Sequence, residues 1–336
     1  MKISASIYSD GEKDLDQSIR KLNESHVDMI HVDCNDDVKI FQDIRRIHEN
    51  SHIPVDLHII TPDAESYLPF LTAYQIEYVC FQYEPLKNKV IHIPKEFDGQ
   101  VGLAITTTTD VRVFDQYRED FDFVLFMATV PGKSGGVFDK SNFRRIREFQ
   151  KLFPEKNVHV DGGVNAEVSF VLRNMGVYAS VSGSYLFNSA NINTALLNLK
   201  LNETESHFQV KDFMRDLTEA PVIKRAELNL KELLCVMRDG KLGFAIVVDA
   251  EGKMEGIIGN ADLRNALLAN IENLDNIRVD QTINPDPVFV YDDFTVFQML
   301  RFIKSQAKPV LYLPVVDRNK RAVGTVNFMN LIKGEL

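Results

Sequence analysis

Through about the first 200 residues, short apolar runs alternate with amphipathic stretches. The apolar runs predict strands over 2–7, 29–33, 54–60, 76–81, 101–105, 123–127, 158–161 and 179–182. Between most of them apolar residues recur at helical spacing, as over 15–22, 40–48, 143–153 and 168–175. Strands alternating with helices predict parallel pairing through right-handed crossovers. Eight such units in about 200 residues predict a compact (β/α)8 TIM barrel. An open doubly wound sheet shares the alternation and is the competing arrangement. The polar stretch Leu201-Asn202-Glu203-Thr204-Glu205-Ser206-His207 then breaks the rhythm and reads as a linker.

Beyond it an internal repeat begins. Ala245-Ile246-Val247-Val248-Asp249 returns as Leu313-Pro314-Val315-Val316-Asp317, Gly256 as Gly324, and Asp262-Leu263 as Asn330-Leu331, each 68 residues on. Two copies of a strand, turn, strand, helix unit therefore fill the C-terminal part. The expected organisation is a barrel over 1–200, a linker over 201–207, and an α+β pair of small modules over 208–275 and 276–336.

Composition narrows the classes. With 45% hydrophobic and 26% charged residues among 336, the chain is that of a soluble protein able to build two cores. No apolar run nears the roughly 20 residues that span a bilayer, so no membrane partner is expected. The start, Met1-Lys2-Ile3-Ser4-Ala5-Ser6-Ile7, is too short and strand-like for a secretory signal. Cys34, Cys80 and Cys235 are scattered, without zinc-knuckle spacing. A cytoplasmic location follows as the expectation. A net charge of −10 argues against nucleic acid as a partner. A small anion would need local backbone donors instead.

Candidate chemistry gathers at the predicted strand ends. His31 and Asp33 stand two apart, so both face the same side of one strand. His58 lies towards the C-terminal end of the third run, and Asp161 closes the seventh. Asp is disfavoured inside strands, which gives Asp33 and Asp161 more weight than a lone strand histidine, usually a hydrogen-bonded core residue. Two imidazoles and two carboxylates at a barrel mouth suit one divalent metal ion: Zn, Mn, Fe or Co. Gly162, Gly163, Gly183 and Ser184 follow the seventh and eighth runs, where barrels frequently bind phosphate through backbone amides. Gly132-Lys133-Ser134-Gly135-Gly136 reads as a lid, with Gly132 and Gly135 at the substrate.

The motifs His31-Val32-Asp33, Asp56-Leu57-His58, Met127-Ala128-Thr129-Val130-Pro131-Gly132 and Val160-Asp161-Gly162-Gly163-Val164 resemble ribulose-phosphate 3-epimerases. So do Ser4-Ala5-Ser6-Ile7, Gly102-Leu103-Ala104-Ile105 and Val181-Ser182-Gly183-Ser184, and the likeness covers about the first 190 residues. The resemblance implies a metal-dependent epimerase that inverts the carbon beside a ketone. Asp33 and Asp161 would be the acid/base pair and metal ligands, with His31 and His58 completing the metal shell. Ser6 would hydrogen-bond near the reacting end, and Met127 would cap it. A serine satisfied within its own strand is the bland reading of Ser6.

The chain departs from that family around the substrate. Cys34-Asn35-Asp36-Asp37 replaces a methionine-containing loop, Asn35 and Ile60 stand at two cap positions, Thr106-Thr107 replaces Asn-Pro, and Ser134 replaces a lid glycine. The ribulose/xylulose 5-phosphate pair is the default substrate, with a hexulose 6-phosphate or a sugar of surface polysaccharides as alternatives. The related decarboxylases need a lysine on the third strand, where Asp56-Leu57-His58-Ile59-Ile60-Thr61 has none. The altered wall also admits a catalytically inactive sugar-phosphate or nucleotide sensor on the same scaffold.

Val247-Val248-Asp249 through Gly256-Ile257-Ile258 and Asp262-Leu263-Arg264 resemble a cystathionine-β-synthase (CBS) motif, and the pair resembles that of arabinose-5-phosphate isomerases. The resemblance implies an adenosine-type or other nucleotide effector, with Asp262 on the ribose hydroxyls. Asn330 in place of the second Asp impairs the second site. A purely dimerising pair is the alternative, and either way a homo-oligomer, dimer or higher, is expected.

Overall fold

The computed structural model describes residues 1–10, 14–87, 89–129, 135–201, 208–306, 310 and 312–327. The chain divides into two compact units, one within residues 1–204 and one within 205–332. The predicted linker falls at this division, and its residues 202–207 lie outside the described residues.

The first unit is a closed barrel of eight parallel strands in chain order. These are β1 (Lys2–Ser6), β2 (Met29–Asn35), β3 (Val55–Ile60), β4 (Tyr78–Gln82), β5 (Gln100–Thr106), β6 (Phe123–Met127), β7 (Asn157–Asp161) and β8 (Ala179–Ser182). The helices are α1 (Leu15–Ser25), α2 (Ile40–Asn50), α3 (Leu68–Ala73), α4 (Tyr83–Leu86), α5 (Ser141–Leu152), α6 (Ala166–Asn174), α7 (Ser184–Phe187) and α8 (Ile192–Lys200). A 3-10 turn, Val111–Gln116, stands where a helix would join β5 to β6. Asx caps start several helices: Asp14 accepts from the Asp16 N–H, Asn165 from Val168 and Asn191 from Thr194. Closure removes every sheet edge and excludes the open sheet.

The strands are covered on both faces. Outward residues such as Ile3, Ile30, Val32, Leu57 and Leu103 are fully buried beneath the helices. Inward residues fill the barrel, and Cys80, Ala104, Phe123, Leu125 and Met127 make a continuous cluster there. Register decides which inward polar groups meet. His31 pairs with Asp56, and Asp33 with His58, between β2 and β3. Met127 pairs with Asp161 between β6 and β7.

The second unit opens with α9 (Val210–Phe213), β9 (Arg215–Asp216) and β10 (Val222–Lys224). Then come α10 (Leu230–Gly240), β11 (Phe244–Val248), β12 (Met254–Gly259) and α11 (Asn260–Ala269). The second half holds β13 (Val290–Tyr291), α12 (Val296–Lys304), β14 (Tyr312–Val316) and β15 (Ala322–Asn327). The strands form two sheets, β10-β11-β12 and β13-β14-β15-β9. The repeat read in the sequence is a repeat in register: Val247 pairs with Gly256 and Val315 with Gly324, and each ladder shifts one residue later. The halves are bound in several places, a bridge between Lys253 and Arg321 among them. β9, which precedes the first copy, pairs with β15 of the second. Phe244 and its counterpart Tyr312 stack at 4.1 Å and 5°. The second copy's Asn330 lies outside the described residues. Among the described residues no helix is long and apolar enough to cross a membrane.

Candidate metal and sugar-phosphate site

Four side chains converge at the C-terminal mouth of the barrel. One ligand atom from each of His31, Asp33, His58 and Asp161 lies within 4.8 Å of the others. His31 Nε2 is 3.3 Å from Asp33 Oδ1 and 4.0 Å from Asp161 Oδ2. His58 Nδ1 is 3.3 Å from Asp33 Oδ1. Both imidazoles are buried, whereas the Asp33 and Asp161 side chains keep 20% and 19% of their surface exposed, so the carboxylates face the pocket above.

The rings are held from behind. His31 Nδ1 meets Asp56 Oδ2 at 2.9 Å, and Asp56 also accepts from the Ser4 hydroxyl at 2.8 Å. A carboxylate accepts only, so Nδ1 carries a proton and Nε2 is the ring nitrogen turned towards the cluster. That Nε2 is buried and has no hydrogen-bond partner. An unpartnered imidazole nitrogen facing two carboxylates fits a divalent cation, which would satisfy all three groups. His58 Nε2 is engaged on the far side, 2.8 Å from Gln82 Oε1.

The two carboxylates are driven apart. Burial pushes Asp161 up to about 6, with the Asp33 charge adding to the rise and the imidazoles partly opposing it. Burial acts on Asp33 as well, but the His31 and His58 rings outweigh it and hold Asp33 well below the usual carboxylate range. Burial would lower His31, yet Asp56 and Asp33 hold it well above its ordinary value. A site with one carboxyl ready to hold a proton and another kept ionised is suited to acid/base work.

The pocket over this cluster is lined by nine of the residues singled out in the sequence: Ser6, Asp33, Met127, Gly135, Asp161, Gly162, Gly163, Gly183 and Ser184. His31 and His58 lie beneath it, and Gly132 falls outside the described residues. Gly162 and Gly163 have φ of +108° and +66°. A Cβ would stand 2.3 Å from Thr129 Oγ1 in the first case and 2.3 Å from the Phe138 nitrogen in the second. Gly183 comes so close to Ser9 that a Cβ would sit 2.1 Å from its Oγ. Only glycine permits these backbone approaches.

Tyr8, Ser9, Thr129, Val164 and Val181 also line the pocket and were not singled out; Asn35, read only as an altered wall position, and Gly136, read only as part of the lid, join them. Asp56 and Gln82 were likewise missed as site residues. The signal for Asp56 was present: it precedes His58 by two, the same-face spacing that joined His31 to Asp33. Asp262, in the other unit, lies in the first turn of α11, where its Oδ2 accepts from the Gly259 N–H at 2.9 Å.

A closed parallel barrel with these side chains at its C-terminal mouth defines a class, and the comparisons place the chain within it. The model of the Ribulose-phosphate 3 epimerase family matches residues 2–187, more than half of the chain, and that of the CBS domain matches 210–269 and 279–335. The chain belongs to the ribulose-phosphate 3-epimerase family of sugar-phosphate epimerases and carries a CBS pair behind its barrel. The ribulose-phosphate 3-epimerase of Buchnera aphidicola subsp. Baizongia pistaciae is 28% identical over 204 residues, 56% of this chain and 90% of that protein. That of Bacillus subtilis is 24% identical over 216 residues, 60% of this chain and 98% of its own. The CBS-pair protein CBSX2 from Arabidopsis thaliana is 21% identical with a TM-score of 0.32, covering 38% of this chain and 94% of its own.

Proposed function

We propose that the barrel is a metal-dependent epimerase inverting the carbon beside the ketone of a ketose phosphate, with ribulose 5-phosphate and xylulose 5-phosphate as the default pair. The observation that carries this reading is the bare, buried His31 Nε2 aimed at two carboxylates of opposite protonation tendency. A sensor would need an anion site but no such pair of acids.

His31, Asp33, His58 and Asp161 would hold the ion, which supplies Lewis-acid stabilisation of charge developing on the substrate oxygens. The chain's own residues do the rest. Asp33 and Asp161 reach the mouth from β2 and β7, so they can address a bound carbon from different sides. One ionised carboxylate removes the proton, and the other, protonated, returns one to the opposite face. In the reverse direction the roles exchange. Ser6 lies on the pocket wall at the level of His31, in reach of a hydroxyl near the reacting end. Met127 covers the carbon with an apolar surface. The amides around Gly162, Gly163, Gly183 and Ser184 would take the phosphate. The second unit would act as a nucleotide-responsive or dimerising module, with Asp262 at the nucleotide.

The test is solvent exchange. Ketose phosphates incubated with the metal-loaded protein in heavy water should take up deuterium at the carbon beside the ketone. If no pentulose or hexulose phosphate exchanges, although the protein holds its metal, the sensor reading replaces the enzyme.

A further inference from the structure

An imidazole has two nitrogens, and only one of those of His58 can serve the cluster at the mouth. Nδ1 faces Asp33 at 3.3 Å, while Nε2 faces the Gln82 carbonyl oxygen at 2.8 Å. Which nitrogen bears the proton depends on which end of the Gln82 amide faces it. The surroundings of Gln82 decide that. The side chain is 2% exposed at the end of β4, and its NH2 meets the Glu84 carboxylate and, at 3.3 Å, the Ala104 carbonyl.

A carbonyl only accepts, and so does Glu84 if it is ionised. The Thr106 N–H at 2.9 Å, the Thr106 hydroxyl at 2.8 Å and the Thr109 hydroxyl all donate to the same Glu84 oxygen. Although burial opposes ionisation, these donors together with Gln82 hold Glu84 below its ordinary value. The amide NH2 therefore has to point at Glu84 and Ala104, and the amide oxygen at His58. An oxygen there accepts from Nε2–H, which leaves the Nδ1 lone pair facing Asp33.

We propose that Gln82, anchored by Glu84, is a positioning residue that fixes His58 as its Nε2–H tautomer and commits Nδ1 to the metal-binding cluster. This rests on the metal reading above. Asp56 fixes His31 in the opposite sense, through Nδ1, so the two rings would hold an ion through different nitrogens. The relay on His31 is an anion and the relay on His58 a neutral amide, so the two rings differ in how strongly their partners polarise them. Neither Gln82 nor Glu84 is among the residues lining the pocket, so both act through His58.

The experiment uses full-length protein with nitrogen-15 in its histidines, freed of metal by a chelator and held at about pH 8. Long-range proton–nitrogen correlation distinguishes the tautomers, and His58→Gln identifies the His58 signals by removing them. The expected spectrum shows His58 as Nε2–H. An Nδ1–H form, or an even mixture, overturns the proposal.

Cobalt(II) titration gives the second measurement. Gln82→Leu should weaken cobalt binding by about 10–100-fold with unchanged far-ultraviolet circular dichroism. The exchanged pair Gln82→Glu with Glu84→Gln keeps one acceptor for Nε2–H and one donor behind it, so it should retain the tautomer and most of the affinity. Wild-type cobalt affinity in a folded Gln82→Leu protein would sink the proposal. If Gln82→Leu does not fold, the wild-type tautomer and the exchanged pair still decide. A wild-type protein that binds no divalent metal would defeat the reading under Proposed function, while the tautomer spectrum would still judge the role of Gln82.

Discussion

Asp33 and Asp161 share the same imidazole neighbours, yet burial lifts one while the rings hold the other down. Asp161→Asn keeps the shape and a potential oxygen ligand but cannot carry a proton. We expect the fold retained and turnover reduced by about 10²–10⁴-fold, read from deuterium exchange. Wild-type turnover in both Asp161→Asn and Asp33→Asn would remove the acid/base assignment. A second residue-scale prediction concerns His159, inside the barrel on β7. It stacks on Phe123 at 4.0 Å and on Tyr178 at 5.4 Å, and burial lowers it to about 4 against 6.5 for an ordinary imidazole. Between those two values the unfolded chain binds a proton that the folded chain refuses. Stability is therefore lost as pH falls from about 6.5 towards about 4. In metal-free protein, His159→Phe should flatten the decline of Tm across that window; an unchanged slope would mean that His159 does not contribute. His31, Asp33, His58 and Asp161 were legible in the sequence because same-face spacing and strand ends are local facts. Gln82 was not, because its meaning lies in partners distant in the chain, His58 on β3 and Ala104 on β5, and in Glu84, itself held by Thr106.

The same distinction holds for whole elements. β6 and β8 match the sequence expectation at both ends. β2 instead continues past Asp33 to Asn35, because the ladder to Ile60 persists after the apolar run stops. The turn after β7 was legible as a pair of glycines, but its reason is tertiary: Thr129 and Phe138 occupy the space where side chains would go. Gly135 provides the control, because its φ is +83° yet nothing lies within 4 Å of a Cβ there. Gly135→Ala should cost only the left-handed backbone penalty, about 1–2 kcal/mol. Gly163→Ala adds a collision with the Phe138 backbone, so it should lower Tm by at least about 4 °C more and raise KM for the sugar phosphate. Equal Tm values for the two variants would mean that the turn relaxes freely, and close packing would not explain the glycine.

At the scale of the molecule, the barrel holds every candidate ligand and acid, while the CBS unit holds Asp262 and a core of its own around Leu233, Ala245, Val247 and Ile258. A repeat with matched registers, stacked Phe244 and Tyr312, and β9 paired into the second half describes one cooperative module rather than two loosely joined ones. A chain ending at Leu201 should therefore still exchange deuterium into its substrate. Any effect of a nucleotide on the full chain requires that it bind two states with different affinity. Titration of the full chain with adenine, guanine and cytosine nucleotides should raise Tm for at least one base, and Asp262→Ala should abolish that rise. Asp262 also caps α11 through Gly259, so the alanine variant should start about 1 kcal/mol less stable. The shift is therefore counted from each variant's own nucleotide-free value. If a base raises Tm and also changes the exchange rate of the full chain but not of the shortened one, the CBS unit is a sensor coupled to the epimerase. If no base moves Tm, and shortening changes only the sedimentation behaviour, Asp262 serves as a helix cap and the unit serves to join copies of the chain.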